Sequence, residues 1–271
     1  MPASTLVFAN GLELALVFVG CVLLWRHALS PAARATRVAP TLPTWEGALS
    51  DFMLFFWLVI AGGVVLPLIA QPLARLTPLG ETGRIMVVNA AFQLGMLGGA
   101  LGYTRTFGRH QVRLPLGLRT SLLPGVTTFL VSLPLVVLVG LAWLGVMKLI
   151  GLPPDRQDLV RIFTETKSPA LLTFMIVLAT VLAPVTEELV FRAGMFRFAR
   201  TRLPRWAALL LPACFFAALH NHFATFAPLV VLGIVFSLAY ERTGSIATSM
   251  IAHGLFNAYS VLRIFINPDA T

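Results

Sequence analysis

The sequence is poor in charge. Only 11% of its 271 residues are charged, whereas about 25% are charged in a typical soluble domain. A further 58% of the residues are hydrophobic. Water is therefore not the main solvent of this fold, and the composition predicts a polytopic membrane protein rather than a soluble one.

Cysteine is equally scarce. Cys21 and Cys214 both lie within apolar runs and show neither a CxxC nor a metal-ligand spacing. They are predicted to be small buried hydrophobic residues, and no disulfide framework or redox compartment follows from them. A basic stretch before the first apolar run is also lacking, which predicts a retained helix there rather than a cleaved signal peptide.

The 20 basic residues form no continuous basic face with interleaved aromatic residues, so no nucleic-acid partner is predicted. They lie between apolar runs that are long enough to cross a lipid bilayer. These runs predict an all-α fold, a polytopic transmembrane helical bundle of about eight spans, at roughly 5–25, 52–70, 85–103, 122–147, 171–185, 206–219, 223–240 and 246–266.

Loop charge predicts the orientation of this bundle. With eight spans, thirteen of the 20 basic residues fall in the loops on one side and seven on the other. The positive-inside rule makes the first side cytoplasmic and places both termini outside.

Residues 1–271 are predicted to form a single integral membrane domain, with scaffold helices in 1–150 and motif-bearing helices in 168–266. The two longest connections, 26–50 and 151–167, are predicted to be exposed. The two halves show no self-similarity, which disfavours an inverted-repeat transporter.

Four polar residues interrupt the apolar runs of the first half. Asn89 and Gln93 share one helix face, as do Asn10 and Glu13. Hydrogen bonds between helices are the simplest explanation of the amides. Glu13 is the stronger anomaly, because a carboxylate in lipid is costly and no cation is close to it in sequence. It is predicted to lie near the interface or to be protonated.

Two adjacent carboxylates and an arginine follow the fifth apolar run, in the stretch APVTEELVFRAGMF. If the helix continues through this stretch, Glu188 and Arg192 are at i and i+4 and neutralise each other. Glu187 is rotated by about 100° from Glu188 and has no local partner. It is therefore predicted to face a wet cavity, a metal, or a group on another helix.

Two histidines lie in other apolar runs. FFAALH ends the sixth run with His220, and IAHGLFNAYS places His253 in the eighth, with Asn257 one turn later on the same face. Two imidazoles and a carboxylate can bind or activate a water, with or without a metal, and Asn257 can stabilise an oxyanion. A helical HExxH is absent, so spacing alone does not establish a metal.

Three motifs in this sequence resemble those of a known family. EELVFR (Glu187, Glu188, Arg192), FAALH (Phe216, His220) and HGLFN (His253, Asn257) stand in the order of the EExxxR, FxxxH and HxxxN/B motifs. The chain, over roughly 171–266, resembles the CAAX prenyl protease and bacteriocin-processing family, also known as the Abi family of intramembrane proteases.

The resemblance implies an intramembrane endopeptidase. By motif position, Glu187 is the general base that activates water with His220, and His253 and Asn257 stabilise the oxyanion or contribute to a metal site. Glu188 and Arg192 form a supporting pair that orients Glu187. A divalent metal such as zinc, held by Glu187, His220 and His253, and a metal-free glutamate mechanism both stay open. His222 matches no motif position and is predicted to be structural or cavity-lining.

The implied substrate is a membrane-associated, prenylated or CAAX-like peptide. The implied location is a bacterial inner membrane, as an integral multi-pass protein whose site opens toward the cytoplasm. Two other classes stay open: a proton-coupled membrane transporter, in which Glu13 and the buried histidines relay protons, and a non-catalytic immunity or scaffold protein.

Overall fold

The fold is an all-helical bundle, as predicted. The computed structural model describes residues 3–35, 42, 44–107, 117–152 and 158–267, and within these ranges the chain forms helices and no strand. In chain order the helices are α1 (Ala3–Leu24), α2 (Pro31–Ala35), α3 (Leu49–Arg75), α4 (Glu81–Thr106), α5 (Leu118–Leu149), α6 (Asp158–Glu165), α7 (Pro169–Arg200), α8 (Arg205–Leu219), α9 (Phe226–Thr243) and α10 (Ile246–Ile266).

Seven helices in the described part of the chain are long and apolar enough to cross a membrane, namely α1, α3, α4, α5, α7, α9 and α10. The prediction of an integral membrane protein is thereby confirmed. The sixth predicted span, α8, has 15 residues and is about 22 Å long, less than the hydrocarbon core of about 30 Å. It ends early because the chain turns at Asn221, whose φ is 48°.

The fifth predicted span is longer in the structure than in the prediction. It was expected over 171–185, but α7 continues to Arg200 and is 32 residues long. The continuation carries Glu187, Glu188 and Arg192, so these charged residues lie inside a membrane helix and not beyond its end.

Helices α3 and α4 form a tightly packed hairpin. A Cβ on Gly95 would collide with the carbonyl oxygen of Gly62, and one on Gly99 would collide with that of Leu58. Small residues let two membrane helices approach to backbone contact, where van der Waals packing holds them together. This packing fixes the position of α4 beside α7.

Most described residues of the two long connections are exposed or half-buried, as predicted, but each connection also places a few residues in the core. In the first, Trp45 is buried and stacks on Tyr103 with ring centroids 6.0 Å apart. In the second, α6 packs the buried residues Val160 and Phe163 against the bundle. The reason is that the segments between spans carry apolar residues of their own, and these pack against the buried residues of the bundle. Several residues of the connections and of the charge count lie outside the described residues: Arg37, Arg109, Arg113, Pro153, Pro154 and Arg156.

Helix α1 lies at the edge of the bundle. Cys21, predicted to be buried, is exposed on its outer face, and Cys214 is half-buried; both are free. Glu13 does have a cation, contributed by a distant part of the chain: its Oε1 lies 3.3 Å from Nη1 of Arg263 on α10. The ion pair explains how α1 tolerates a carboxylate, which sequence proximity did not reveal.

Candidate active site

The motif helix α7 is not a regular α-helix. Two stretches of it, Leu178–Leu182 and Glu188–Phe196, are wound as wider turns, with backbone N–H groups bonded to carbonyls five residues earlier. In the first, for example, the N–H of Ala183 donates to the carbonyl of Leu178. Wide turns of this kind occur frequently at functional sites. The second stretch begins at Glu188, directly after Glu187, and contains the rest of the EExxxR motif.

The predicted pair of Glu188 and Arg192 is present and fully buried. Nη1 of Arg192 lies 2.9 Å from Oε1 of Glu188. Aromatic rings surround the guanidinium, with its central carbon 4.6 Å from the centroid of Phe216 and 5.4 Å from that of Phe236. The cation therefore interacts with a carboxylate and with the faces of two rings, which offsets part of the cost of its removal from water.

His253 lies between the two carboxylates. Its Nδ1 is 2.9 Å from Oε1 of Glu188, so an Nδ1–H donates to that oxygen. Its Nε2 is 3.7 Å from Oε2 of Glu187. A carboxylate that accepts from one ring nitrogen of a histidine fixes the orientation of the ring and the role of the other nitrogen. Glu188 thus orients His253, with Nε2 turned toward Glu187.

Glu187 is held by a residue that the sequence assigned to the scaffold. Nε2 of Gln93 on α4 donates to Oε1 of Glu187 at 3.1 Å. The hydroxyl of Thr186 donates to the Gln93 carbonyl at 3.4 Å and ties the same two helices together. The Glu187 side chain is 14% exposed, so it is not sealed within the protein. The available signal was the pair of amides, Asn89 and Gln93, in an apolar run, and the sequence explained them only by hydrogen bonds between helices.

Asn89 does not join Gln93 at the site, although the two were expected on one face. It lines a cavity of about 380 Å³ between α3 and α4, together with Gly63, Val64, Pro67, Leu68, Gln71, Val88 and Phe92. Glu187 and His253 do not line this cavity.

His220 reaches the cluster through an aromatic ring. Its Nδ1 donates to the Phe216 carbonyl at 2.8 Å in the tautomer that leaves Nε2 free. The Phe216 ring has its centroid 4.7 Å from that of His220 and 5.8 Å from that of His253. Among the described residues, His220 makes no hydrogen bond to either glutamate. His222 lies in the turn after α8, 3.3 Å from the hydroxyl of Thr225.

Asn257 lies one turn after His253 on α10, as expected. Its Nδ2 donates to the backbone carbonyl of Ala179 at 2.8 Å. The side chain is half-buried. One of its N–H groups therefore binds α7 itself.

The predicted metal set is not gathered into a metal site. Among the described residues, no group of three His, Cys, Asp or Glu side chains is placed to hold a metal ion. Nδ1 of His253 is engaged by Glu188, whereas its Nε2 lies 3.7 Å from Oε2 of Glu187, too far for a hydrogen bond, and stays available as a ligand. Glu187, Nε2 of His253 and the free Nε2 of His220 are the atoms that would face a metal, and the proposed mechanism does not require one.

The fold and the site together define an integral membrane protein with a buried Glu-Glu-Arg-His cluster in its C-terminal helices. The family model for the Rce1-like type II CAAX prenyl endopeptidases matches residues 169–259, the segment that carries all three motifs. The resemblance drawn from the motifs is thereby confirmed for this segment.

Two curated proteins are similar in sequence to this protein. One is the membrane-embedded CAAX protease MroQ of Staphylococcus aureus, 30% identical over 123 residues, which cover 43% of this chain and 47% of that protein. The other is an uncharacterized 24.3 kDa protein of Escherichia coli, 28% identical over 130 residues, which cover 46% of this chain and 58% of that protein. The matches thus span about half the length of each relative. No solved structure matches the chain.

Proposed function

We propose that the protein is an intramembrane endopeptidase that hydrolyses a peptide bond of a membrane-associated, prenylated or CAAX-like peptide. The observation that carries the proposal is the environment of Glu187. Gln93 holds one of its oxygens, the other faces Nε2 of His253, and the side chain stays partly exposed. A carboxylate held in this way inside a membrane helix is suited to take a proton from water. The family match over 169–259 supports the same reaction.

In this reaction Glu187 takes a proton from water while the water oxygen attacks the substrate carbonyl carbon. The resulting tetrahedral oxyanion collapses, the C–N bond breaks, and the proton on Glu187 passes to the leaving nitrogen. His253, held by Glu188, donates from Nε2 to the oxyanion when it is protonated. The free Nε2 of His220 is the second group that orients the water. Arg192 holds Glu188 in place.

The short helix α8 supports a hydrated site. Because α8 reaches only about 22 Å, the turn after it lies within the thickness of the membrane or close to its far interface. Irregular backbone at membrane depth is tolerated where it lines water or is buried in protein. Nε1 of Trp143 donates to the Phe223 carbonyl of this turn at 2.8 Å, and His220 stands at its start.

The proposed location is a bacterial inner membrane, with the site open toward the cytoplasm. In the eight-span topology one side carries the larger number of basic residues, also when Arg192, which lies within α7, is left out, and this supports the orientation. A CAAX-type substrate would then reach Glu187 from the cytoplasmic side. The printed name of the Staphylococcus aureus relative, a CAAX protease, supports this substrate class.

The test is cleavage by the purified protein in detergent. A quenched fluorescent peptide library that includes a farnesylated CAAX peptide is presented to wild type and to Glu187→Gln, with and without a chelator. Cleavage by wild type that is lost in the variant supports the proposal. Sensitivity to the chelator would add a metal, with Glu187, His220 and His253 as its candidate ligands. If folded wild type cleaves none of the peptides, the proposal is wrong and the transporter and scaffold hypotheses take its place.

Gln93→Leu should lower kcat/KM by about tenfold, the usual effect of losing one hydrogen bond to a charged group. Without the amide, Glu187 loses the donor that fixes Oε1. The matched control is Asn89→Leu, one turn away on the same helix and without a contact to Glu187. Equal losses in the two variants would show that the amide acts only through helix packing.

Glu13→Gln should leave cleavage within about twofold of wild type. Its partner Arg263 lies ten residues beyond His253 on α10, about 15 Å along the helix axis from the site. The measurement is kcat/KM for the same fluorescent peptide. A loss as large as that of Glu187→Gln would place Glu13 in a proton pathway, as the transporter hypothesis requires.

A further inference from the structure

The hydrogen bond from Asn257 to the Ala179 carbonyl takes the place of a bond that α7 cannot make itself. In the wide turn Leu178–Leu182 the N–H of Ala183 donates to the carbonyl of Leu178, five residues earlier. By the same spacing, the carbonyl of Ala179 would accept from residue 184. That residue is Pro184, which has no N–H. The carbonyl is therefore left without a helical donor, and Asn257 supplies one from α10 at 2.8 Å.

A carbonyl without a donor is costly inside a membrane, where little water is available to replace the missing bond. Prolines are tolerated in such helices when a side chain of a neighbouring helix compensates. The Asn257 amide makes this compensation between two different helices. It therefore links the local winding of α7 to the position of α10.

The same place is a close approach of the two helices. A Cβ on Gly254 would come within 2.7 Å of the carbonyl oxygen of Thr180, so α10 rests directly on the backbone of α7. His253, next to Gly254 in sequence, contacts both carboxylates farther along α7. The rotation of α7 against α10 at Ala179 thus determines how Glu187 faces His253.

We infer that Asn257 is a positioning residue that sets this rotation by donating to the carbonyl that Pro184 leaves free. This differs from an oxyanion ligand, which would act on the substrate. The inference rests on the proposed protease function for its kinetic readout only. Its thermodynamic readout, the melting temperature, does not depend on catalysis.

The test is rescue by restoring the missing donor within α7. Asn257→Ala should lower both the melting temperature and kcat/KM, the latter by about tenfold. Pro184→Ala adds an N–H beside the free carbonyl, so the double variant Asn257→Ala/Pro184→Ala should recover the melting temperature. Its kcat/KM should return to within about threefold of Pro184→Ala alone. The matched control is Pro212→Ala on α8, which should rescue nothing.

A folded double variant that is as inactive as Asn257→Ala, in a background where Pro184→Ala is active, would overturn the inference and favour an oxyanion role. If Pro184→Ala does not fold, Asn257→Asp decides. An ionised aspartate offers only acceptors to the Ala179 oxygen, so it should lower the melting temperature at least as much as Asn257→Ala. An unchanged melting temperature in both variants would also overturn the inference. If wild type cleaves no peptide, the proposed function fails while these melting temperatures still test the bond.

Discussion

Glu187→Gln is expected to abolish peptide cleavage and to leave a folded, membrane-inserted protein. Glutamine matches glutamate in shape, and its amide oxygen still accepts from Nε2 of Gln93, so the helix contact is kept. What is lost is the carboxylate that takes the proton from water. General-base catalysis contributes about 10²- to 10⁴-fold to a rate, and kcat should fall within that range with KM little changed. The measurement is initial cleavage rates at saturating peptide.

The matched control is Glu165→Gln, which makes the same chemical change at an exposed glutamate at the end of α6, outside the site. Its rate should equal that of wild type. Folding of both variants is checked by size-exclusion profile and melting temperature in detergent. A Glu187→Gln protein that keeps more than about a tenth of the wild-type kcat would contradict the role of Glu187 as general base.

Most of the fold could be predicted from the sequence, because membrane helices are specified locally. Each span must supply about 20 apolar residues and satisfy its own backbone hydrogen bonds, so hydropathy alone locates it. The exceptions depend on other parts of the chain. The burial of Trp45 and the docking of α6 depend on which core lies nearby, and α8 ends early at a turn through Asn221.

The site was predicted in part for a similar reason. The pair of Glu188 and Arg192 follows from a spacing of four residues on one helix, and this local signal was sufficient. The partners of Glu187 come from other helices: Gln93 is 94 residues away in sequence, and its apolar run gave no sign of catalysis. The wide turns of α7 were also beyond prediction, because the bond that accompanies the first of them, from Asn257 to Ala179, comes from a helix 78 residues away in sequence.

Arg192→Met is expected to have the largest effect on stability. The change leaves Glu188, which is fully buried, with His253 as its remaining hydrogen-bond partner. Breaking a buried ion pair by removing one member costs about 3–5 kcal/mol, since the other charge stays buried without compensation. The ring contacts with Phe216 are lost as well. The measurement is the free energy of unfolding in mixed micelles, or the melting temperature where unfolding is irreversible.

Double variants separate stability from catalysis at this pair. Glu188→Leu/Arg192→Met removes both charges and should recover most of the lost stability, because an apolar replacement of a buried pair is often neutral. It should remain inactive, since Nδ1 of His253 has lost its acceptor. Glu188→Gln/Arg192→Met keeps an amide oxygen at that position, so it should regain both stability and part of the activity. If Arg192→Met alone stays within about 1 kcal/mol of wild type, the cation does not stabilise the buried carboxylate, and the ordering of His253 by Glu188 must be independent of it.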